Sequence, residues 1–230
     1  MDIHGIDPGR VKAAVFDLGG VFLAGSVENV AQFGVRMGLT TETWAGMRQE
    51  LFLDDGWWDR VERAEMPLDE FAAELCRRLA EHDIALTIAQ ARNFMGSPGH
   101  EGSMPLRTEI VAAAAEVHRV MPTVLLTNNV AEWRGGWHRR LDLDALFDVV
   151  IDSSEVGLRK PEEAIYTLTE KEIGIDGKGL FFLDDLGMNL KPARRRGWQT
   201  LKYVETEPVL EVLSALAHSR PPRDGAGINS

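Results

Sequence analysis

Two hydrophobic patterns alternate along the chain. Short continuous apolar runs end at Val15-Phe16 and recur at Thr123–Thr127, Val149–Asp152, Leu180–Asp184 and Thr200–Val204, and each reads as a strand buried on both faces. Between them, apolar residues spaced three or four apart predict helices over Glu109–Val120, Ala131–Arg140, Glu162–Glu172, Leu190–Arg196 and Pro208–Ala217. Strands separated by helices imply an α/β fold with a doubly wound parallel sheet, covered on both faces and wound right-handedly.

The segment from about Ser26 to about Phe94 breaks this alternation. Its apolar positions, Val27, Val30, Ala31, Phe33, Trp44, Met47, Leu51, Leu68, Phe71, Ala72, Leu75 and Leu79, keep helical spacing throughout. Pro67 suits a first helical position, and Asp69 and Glu70 complement the positive end of the helix dipole. Turn formers crowd Met95–Ser103 and suggest a hinge back to the sheet. The expected organisation is an α/β core over residues 11–23 and 104–217, a helical insertion with its hinge over 24–103, and flexible termini at 1–10 and 219–230.

The chain has 230 residues, of which 44% are hydrophobic, enough for one substantial core. Its formal net charge of -11 argues against nucleic acid or an anionic membrane as partner, since both demand a basic surface. The amino terminus shows no secretory pattern, and no run nears the roughly 20 apolar residues of a membrane span. Cys76 stands alone, so no internal disulfide framework exists. These features lead to the expectation of a cytoplasmic protein, monomer or homodimer, acting on a small molecule.

Ligands of doubly wound sheets bind beyond the carboxyl ends of the strands. Those ends carry Asp17 before Gly19-Gly20, Thr127-Asn128-Asn129, a loop from Ser153 to Lys160-Pro161, and Asp184-Asp185. They supply a carboxylate able to act as a nucleophile, a hydroxyl with amides, a lysine, and an acidic pair suited to a hard cation such as magnesium. A lysine and a cation together can neutralise a transferring phosphoryl group.

In these four signatures, FDLGGV at Phe16–Val21, LLTNN at Leu125–Asn129, Lys160-Pro161 and FLDDLGMN at Phe182–Asn189, the chain resembles the haloacid dehalogenase superfamily from about Val11 to about Leu216. The helical insertion after the first signature resembles the cap of one large subclass. The run from Leu183 to Arg194 is similar to the phosphatase-like domain at the amino end of mammalian soluble epoxide hydrolases and their bacterial relatives.

The resemblance implies that Asp17 is a nucleophile forming an aspartyl-phosphate, and that Thr127 and the backbone after it bind phosphoryl oxygens. It implies that Lys160 steadies both Asp17 and the phosphate, that Asn128 contacts substrate, and that Asn189 orders its loop. Mg2+ would be held by Asp17, the carbonyl of Gly19 and Asp185, with Asp184 in the same acidic site. The implied activity is a magnesium-dependent phosphatase for a small phosphorylated metabolite.

Gly19 departs from the pattern, because most phosphatases of the superfamily carry there a second aspartate that protonates the leaving group. Without it, acyl, aryl or anomeric sugar phosphates, whose leaving groups need little protonation, are the expected substrates. Two rival readings remain: a catalytically weak domain that binds phosphorylated ligands, and a 2-haloacid dehalogenase. Intact Asp184-Asp185 speaks against the dehalogenase, since that class works without metal.

Other features read as structural. Leu53-Asp54-Asp55 repeats the Leu183-Asp184-Asp185 string but follows a helical pattern, as a solvated helix end would. Trp57-Trp58 reads as core packing rather than a substrate pocket, and Arg194-Arg195-Arg196 as a solvated helix terminus. The six histidines show no ligand spacing.

Overall fold

The computed structural model describes residues 2–24, 28–52, 56–92 and 104–223. Five parallel strands, β1 (Ala13–Phe16), β2 (Thr123–Thr127), β3 (Val149–Asp152), β4 (Leu180–Asp184) and β5 (Gln199–Lys202), form one sheet in the order β3-β2-β1-β4-β5. β1 is therefore central and buried along its whole length. Its side chains alternate between faces, as a pleated strand requires. Ala14 and Phe16 join one apolar cluster with Ile110, Val117, Val212 and Leu216, from α6 (Thr108–Val120) and α11 (Thr206–Ala217). Ala13 and Val15 join the opposite cluster with Ile165, Tyr166, Leu190 and Ala193, from α9 (Glu163–Ile173) and α10 (Gly187–Arg195).

Among the described residues, five further helices lie between β1 and α6: α1 (Glu28–Arg36), α2 (Thr41–Phe52), α3 (Trp57–Glu62), α4 (Leu68–Ala80) and α5 (Ile88–Arg92). They enclose a separate apolar cluster around Trp44, Leu51, Phe71, Leu75 and Leu79. Gly34 lets α1 approach α2, because a Cβ there would overlap the Trp44 ring. Trp58 is buried against Phe71 and also meets Trp133 of the sheet domain, at ring-centroid distances of 5.1 and 5.7 Å. The core-packing reading of this tryptophan therefore holds. The chain leaves and re-enters the sheet domain side by side, with Ala24 N–H donating to Pro105 O and Arg107 N–H to Phe22 O, both at 2.8 Å. The expected hinge at Met95–Ser103 and the Leu53-Asp54-Asp55 string lie outside the described residues.

Several boundaries differ from the sequence reading, each for a local reason. The helix expected over Ala131–Arg140 is a 3-10 turn at Ala131–Trp133 followed by α7 (Arg134–His138), since Gly135-Gly136 weakens helix propagation. The loop after β3 contains a short helix, α8 (Ser153–Val156), capped by the Asp152 carboxylate on Ser154 N–H. α10 begins three residues earlier than Leu190, at Gly187, because Asp184 ties down Leu186 N–H at 2.7 Å ahead of it. Pro67 stands just outside α4 in an extended conformation.

The described residues near both ends are packed where the sequence suggested looseness. Ile6 is fully buried in the core, and Asp7 N–H donates to the Gln199 side chain at 2.6 Å. Arg223 reaches Asp148 at 3.0 Å and its N–H bonds Arg119 O, which fastens the segment after α11. Arg195 and Arg196 pair with Glu163 and Glu170, so their helix end is ion-paired as well as solvated. Among the described residues no helix is long and apolar enough to cross a membrane.

Candidate functional site

Asp17 follows β1 directly, and its N–H still donates to Leu183 O at 2.9 Å, so the sheet's own ladder delivers the carboxylate to the carboxyl edge. β1 lies between β2 and β4, where the direction of winding reverses, and this switch point is where an open sheet leaves a crevice. Thr127 arrives on one side from β2, and Asp184 on the other from β4. Lys160 comes from the loop after β3 and reaches across to both acids.

The Lys160 ammonium lies 2.8 Å from Asp17 Oδ1 and 2.8 Å from Asp184 Oδ2, and only 1% of its side chain is exposed. Burial alone would lower the pKa of this lysine, but Asp17 and Asp184 outweigh that penalty and raise it above the ordinary lysine value. Leu18 N–H also donates to Asp17 Oδ1 at 2.8 Å. Oδ2 of Asp17 receives no hydrogen bond from the described residues and stays open for chemistry.

Asp184 is fully buried and has every direction filled. Oδ1 accepts from Leu186 N–H at 2.7 Å and from Asn189 Nδ2 at 3.1 Å, while Oδ2 accepts from the same amide at 3.0 Å and from Lys160. Asn189 is itself held by the Tyr166 hydroxyl, which donates to its carbonyl at 2.6 Å. Asn189 thus ties the start of α10 to the carboxylate that ends β4.

One ligand oxygen from each of Asp17, Asp184 and Asp185 falls within a group spanning 4.8 Å. Three carboxylates against one lysine leave a double negative excess in a buried site, and the acids respond to it. Burial, reinforced by Asp184, pushes Asp185 up to about 6. Burial likewise raises Asp17 well above the carboxylate range, with Asp184 and Asp185 adding to the effect and Lys160 opposing it. A divalent cation with oxygen preference would match the excess charge and the donor type. The loop after β1 also suits such a site: Gly20, at a φ of +73°, leaves room for the Asp185 carboxyl where a Cβ would collide with it. At Gly19 the opposite holds, since a Cβ there would meet nothing within 4 Å.

The structure brings Asp17, Gly19, Thr127, Asn128, Lys160, Asp184, Asp185 and Asn189 to the same sheet edge. Asn128, expected to contact substrate, has its side-chain amide engaged by protein. Its Oδ1 accepts from Lys160 N–H at 2.8 Å, and its Nδ2 donates to Lys160 O at 2.9 Å and to Glu62 of α3 at 3.0 Å.

Sequence reasoning passed over two sets of residues around this edge. Arg107 donates to Gly20 O at 2.6 Å and Val21 O at 3.1 Å, and its guanidinium stacks on Tyr203 with 4.4 Å to the ring centroid. Arg159 joins Glu62 at 2.7 Å and Asp59 at 3.0 Å, carrying the insertion onto the loop of Lys160. The only local signal was two acids three apart on one face of α3, which does not reveal a partner nearly 100 positions away.

Comparisons with known proteins agree with the fold. The pig bifunctional epoxide hydrolase 2 is 29% identical over 229 residues, covering 88% of this chain and 38% of the relative. The chain spans about two-fifths or less of the length of the curated relatives it matches. A predicted HAD-like family hydrolase of Porphyromonas gingivalis superposes with a TM-score of 0.67 at 22% identity, over 91% of this chain and 98% of the other. A HAD family enzyme of Bacteroides thetaiotaomicron, solved in complex with magnesium and inorganic phosphate, gives 0.61 at 20% identity over 86% and 98%. The L-2-haloacid dehalogenase of Xanthobacter autotrophicus gives 0.57 at 16% identity over 92% and 85%, a likeness of fold. Residues 11–197 match the haloacid dehalogenase-like hydrolase family. With that match spanning most of the chain, the protein belongs to the haloacid dehalogenase-like hydrolases.

Proposed function

We propose that this hydrolase is a magnesium-dependent phosphatase for a small phosphorylated metabolite, working through an aspartyl-phosphate on Asp17 and favouring leaving groups that need little protonation. The observation that carries the reading is the Lys160 ammonium held at 2.8 Å from both Asp17 and Asp184 beneath a carboxylate cluster with excess negative charge.

Asp17 is the nucleophile: one carboxylate oxygen attacks phosphorus, the bond from phosphorus to the leaving oxygen breaks, and water later hydrolyses the acyl phosphate back to free Asp17. Lys160 opposes the effect of burial on Asp17, which eases its ionisation, and balances charge on the phosphoryl oxygens. Thr127 and the backbone following it bind those oxygens. Asp17, the Gly19 carbonyl and Asp185 would hold Mg2+, which when bound neutralises the phosphoryl group and orients it. Asp184, with its oxygens already taken, fixes Lys160 and the loop of Asn189 under that site. The helical insertion acts as a cap that excludes water and selects the substrate.

Gly19 supplies no acid for the leaving group, and general acid help is typically worth about 10²–10⁴-fold. Acyl, aryl and anomeric sugar phosphates lose least by its absence. The same glycine favours a second reading, in which the chain binds phosphorylated ligands with little turnover. The acidic pair argues against the metal-independent dehalogenase.

The test is a panel of acetyl phosphate, aryl, anomeric sugar and simple alkyl phosphates, plus 2-haloacids, each with magnesium or with chelator. Phosphate release that requires magnesium, disappears in Asp17→Asn and rises as leaving-group pKa falls is the expected result. A rate independent of leaving-group pKa rejects the preference. Halide release with chelator present replaces the phosphatase with a dehalogenase, and tight phosphate binding without product replaces it with a binding domain.

A further inference from the structure

We infer that Glu62, on α3 of the helical insertion, is a positioning residue for Lys160 and acts through the side-chain amide of Asn128; its catalytic consequence rests on the phosphatase reading above. The Asn128 amide grips Lys160 at both backbone polar groups, accepting from N–H at 2.8 Å and donating to the carbonyl at 2.9 Å. The second hydrogen of Nδ2 goes to Glu62 Oε2 at 3.0 Å. Reversing the amide would turn its oxygen towards the Glu62 carboxylate and the Lys160 carbonyl, both acceptors, so Glu62 fixes the orientation in which the grip works.

Glu62 is itself rigidly held. Trp58 Nε1 donates to its Oε1 at 2.9 Å, and Arg159 Nε donates to Oε2 at 2.7 Å. Arg159 also meets Asp59, one turn earlier on α3, at 3.0 Å. Side chains of Glu62, Arg159 and Asp59 are only 9–13% exposed, so these charge-assisted bonds are little screened by water. The insertion therefore sets the backbone from which the Lys160 side chain reaches Asp17 and Asp184. A shift of about 1 Å at a reacting group can cost about 100-fold in rate.

The experiment compares wild type with Glu62→Ala, Glu62→Gln and Arg63→Ala. The glutamine carbonyl can take the place of Oε2 and keep the Asn128 bond, while its NH2 faces the Trp58 N–H and that bond is lost. Arg63→Ala removes a different contact across the same boundary, the 2.7 Å pair with Glu162, and leaves Asn128 alone. Two readouts are taken: amide hydrogen exchange at Lys160 by NMR, and kcat and KM for acetyl phosphate with magnesium.

In Glu62→Ala the Lys160 N–H should exchange about 10-fold faster or more. Its kcat should fall about 10-fold or more while KM moves less than about 3-fold. Glu62→Gln, which keeps the Asn128 bond but loses the one from Trp58, should lie between wild type and Glu62→Ala in both, and Arg63→Ala should change neither. Protected amides in β1 and β4 verify folding, and Glu62→Met, which keeps the volume, replaces the alanine variant if that one does not fold. The inference is overturned if Lys160 exchange is unchanged, if Arg63→Ala reproduces the effect, or if exchange accelerates with kcat intact. If wild type releases no phosphate, the phosphatase reading fails and the exchange data alone decide the positioning of Lys160.

Discussion

Gly20 lies directly against the Asp185 carboxyl group: a methyl in place of its hydrogen would occupy the same space as the Asp185 side chain. The backbone there has a φ of +73°, a region that favours glycine. Two glycines adjacent in sequence thus have unrelated roles, since Gly19 faces open space and Gly20 faces an acid.

Gly20→Ala should therefore destabilise the protein by about 1–3 kcal/mol through backbone strain alone, and should also displace Asp185. Denaturant unfolding measures the first effect, and calorimetric titration with magnesium the second. Unchanged magnesium affinity in a folded Gly20→Ala protein would remove Asp185 from the ligand set.

Gly19→Asp should be accommodated, because its Cβ enters empty space. Restoring a carboxyl able to protonate the leaving oxygen should speed hydrolysis of simple alkyl phosphates by about 10-fold or more and leave acetyl phosphate nearly unchanged. The rate ratio of the two substrates is the measurement. Equal acceleration of both would show that the added acid does not act on the leaving group.

Asn189→Ala takes two hydrogen bonds from the buried Asp184 carboxylate, which retains only Lys160 and Leu186 N–H. Leaving part of a buried charge unsatisfied costs about 1–3 kcal/mol or more. A clear drop in unfolding midpoint is expected, together with slower phosphate release. A midpoint equal to wild type would mean that water replaces the amide without loss.

Acid should weaken α4 through Glu74, whose hydrogen bonds from Arg77, and then from Arg78, hold its carboxyl down at about 2. A depressed carboxyl contributes stability above its unfolded pKa near 4.5, and that contribution disappears as pH falls towards 2. Glu74→Gln should cost about 1 kcal/mol at pH 7, since these near-surface ion pairs are screened, and nothing once the pH nears 2. Urea unfolding of both proteins across this range checks the sign; a gap that widens in acid would contradict it.

The sheet was legible from its inner strands, where residues such as Leu180-Phe181-Phe182-Leu183 have no place except between two helical layers, while the edge strand β5, Gln199-Thr200-Leu201-Lys202, is polar and only partly buried. Asp17, Thr127, Lys160 and Asp184 were legible for a related reason, each ending or following a strand whose pairing carries it to the same edge. Boundaries read less well where glycines or a capping carboxylate decide them, as at Gly135-Gly136 and at Asp184 before α10.

By itself, then, the sequence determined the parallel α/β fold, the helical insertion and the acids, lysine and threonine at the strand ends. Only the tertiary structure decided how they are shared: that Asp184 is saturated by Lys160, Asn189 and Leu186, that Gly20 and not Gly19 shelters Asp185, and that Glu62 reaches Asn128 from the insertion. Strand ends follow from local hydrophobic pattern and backbone pairing, which operate within a few residues or along a ladder. A hydrogen bond between positions 62 and 128 depends on how two separately packed units meet, and no local pattern records that distance.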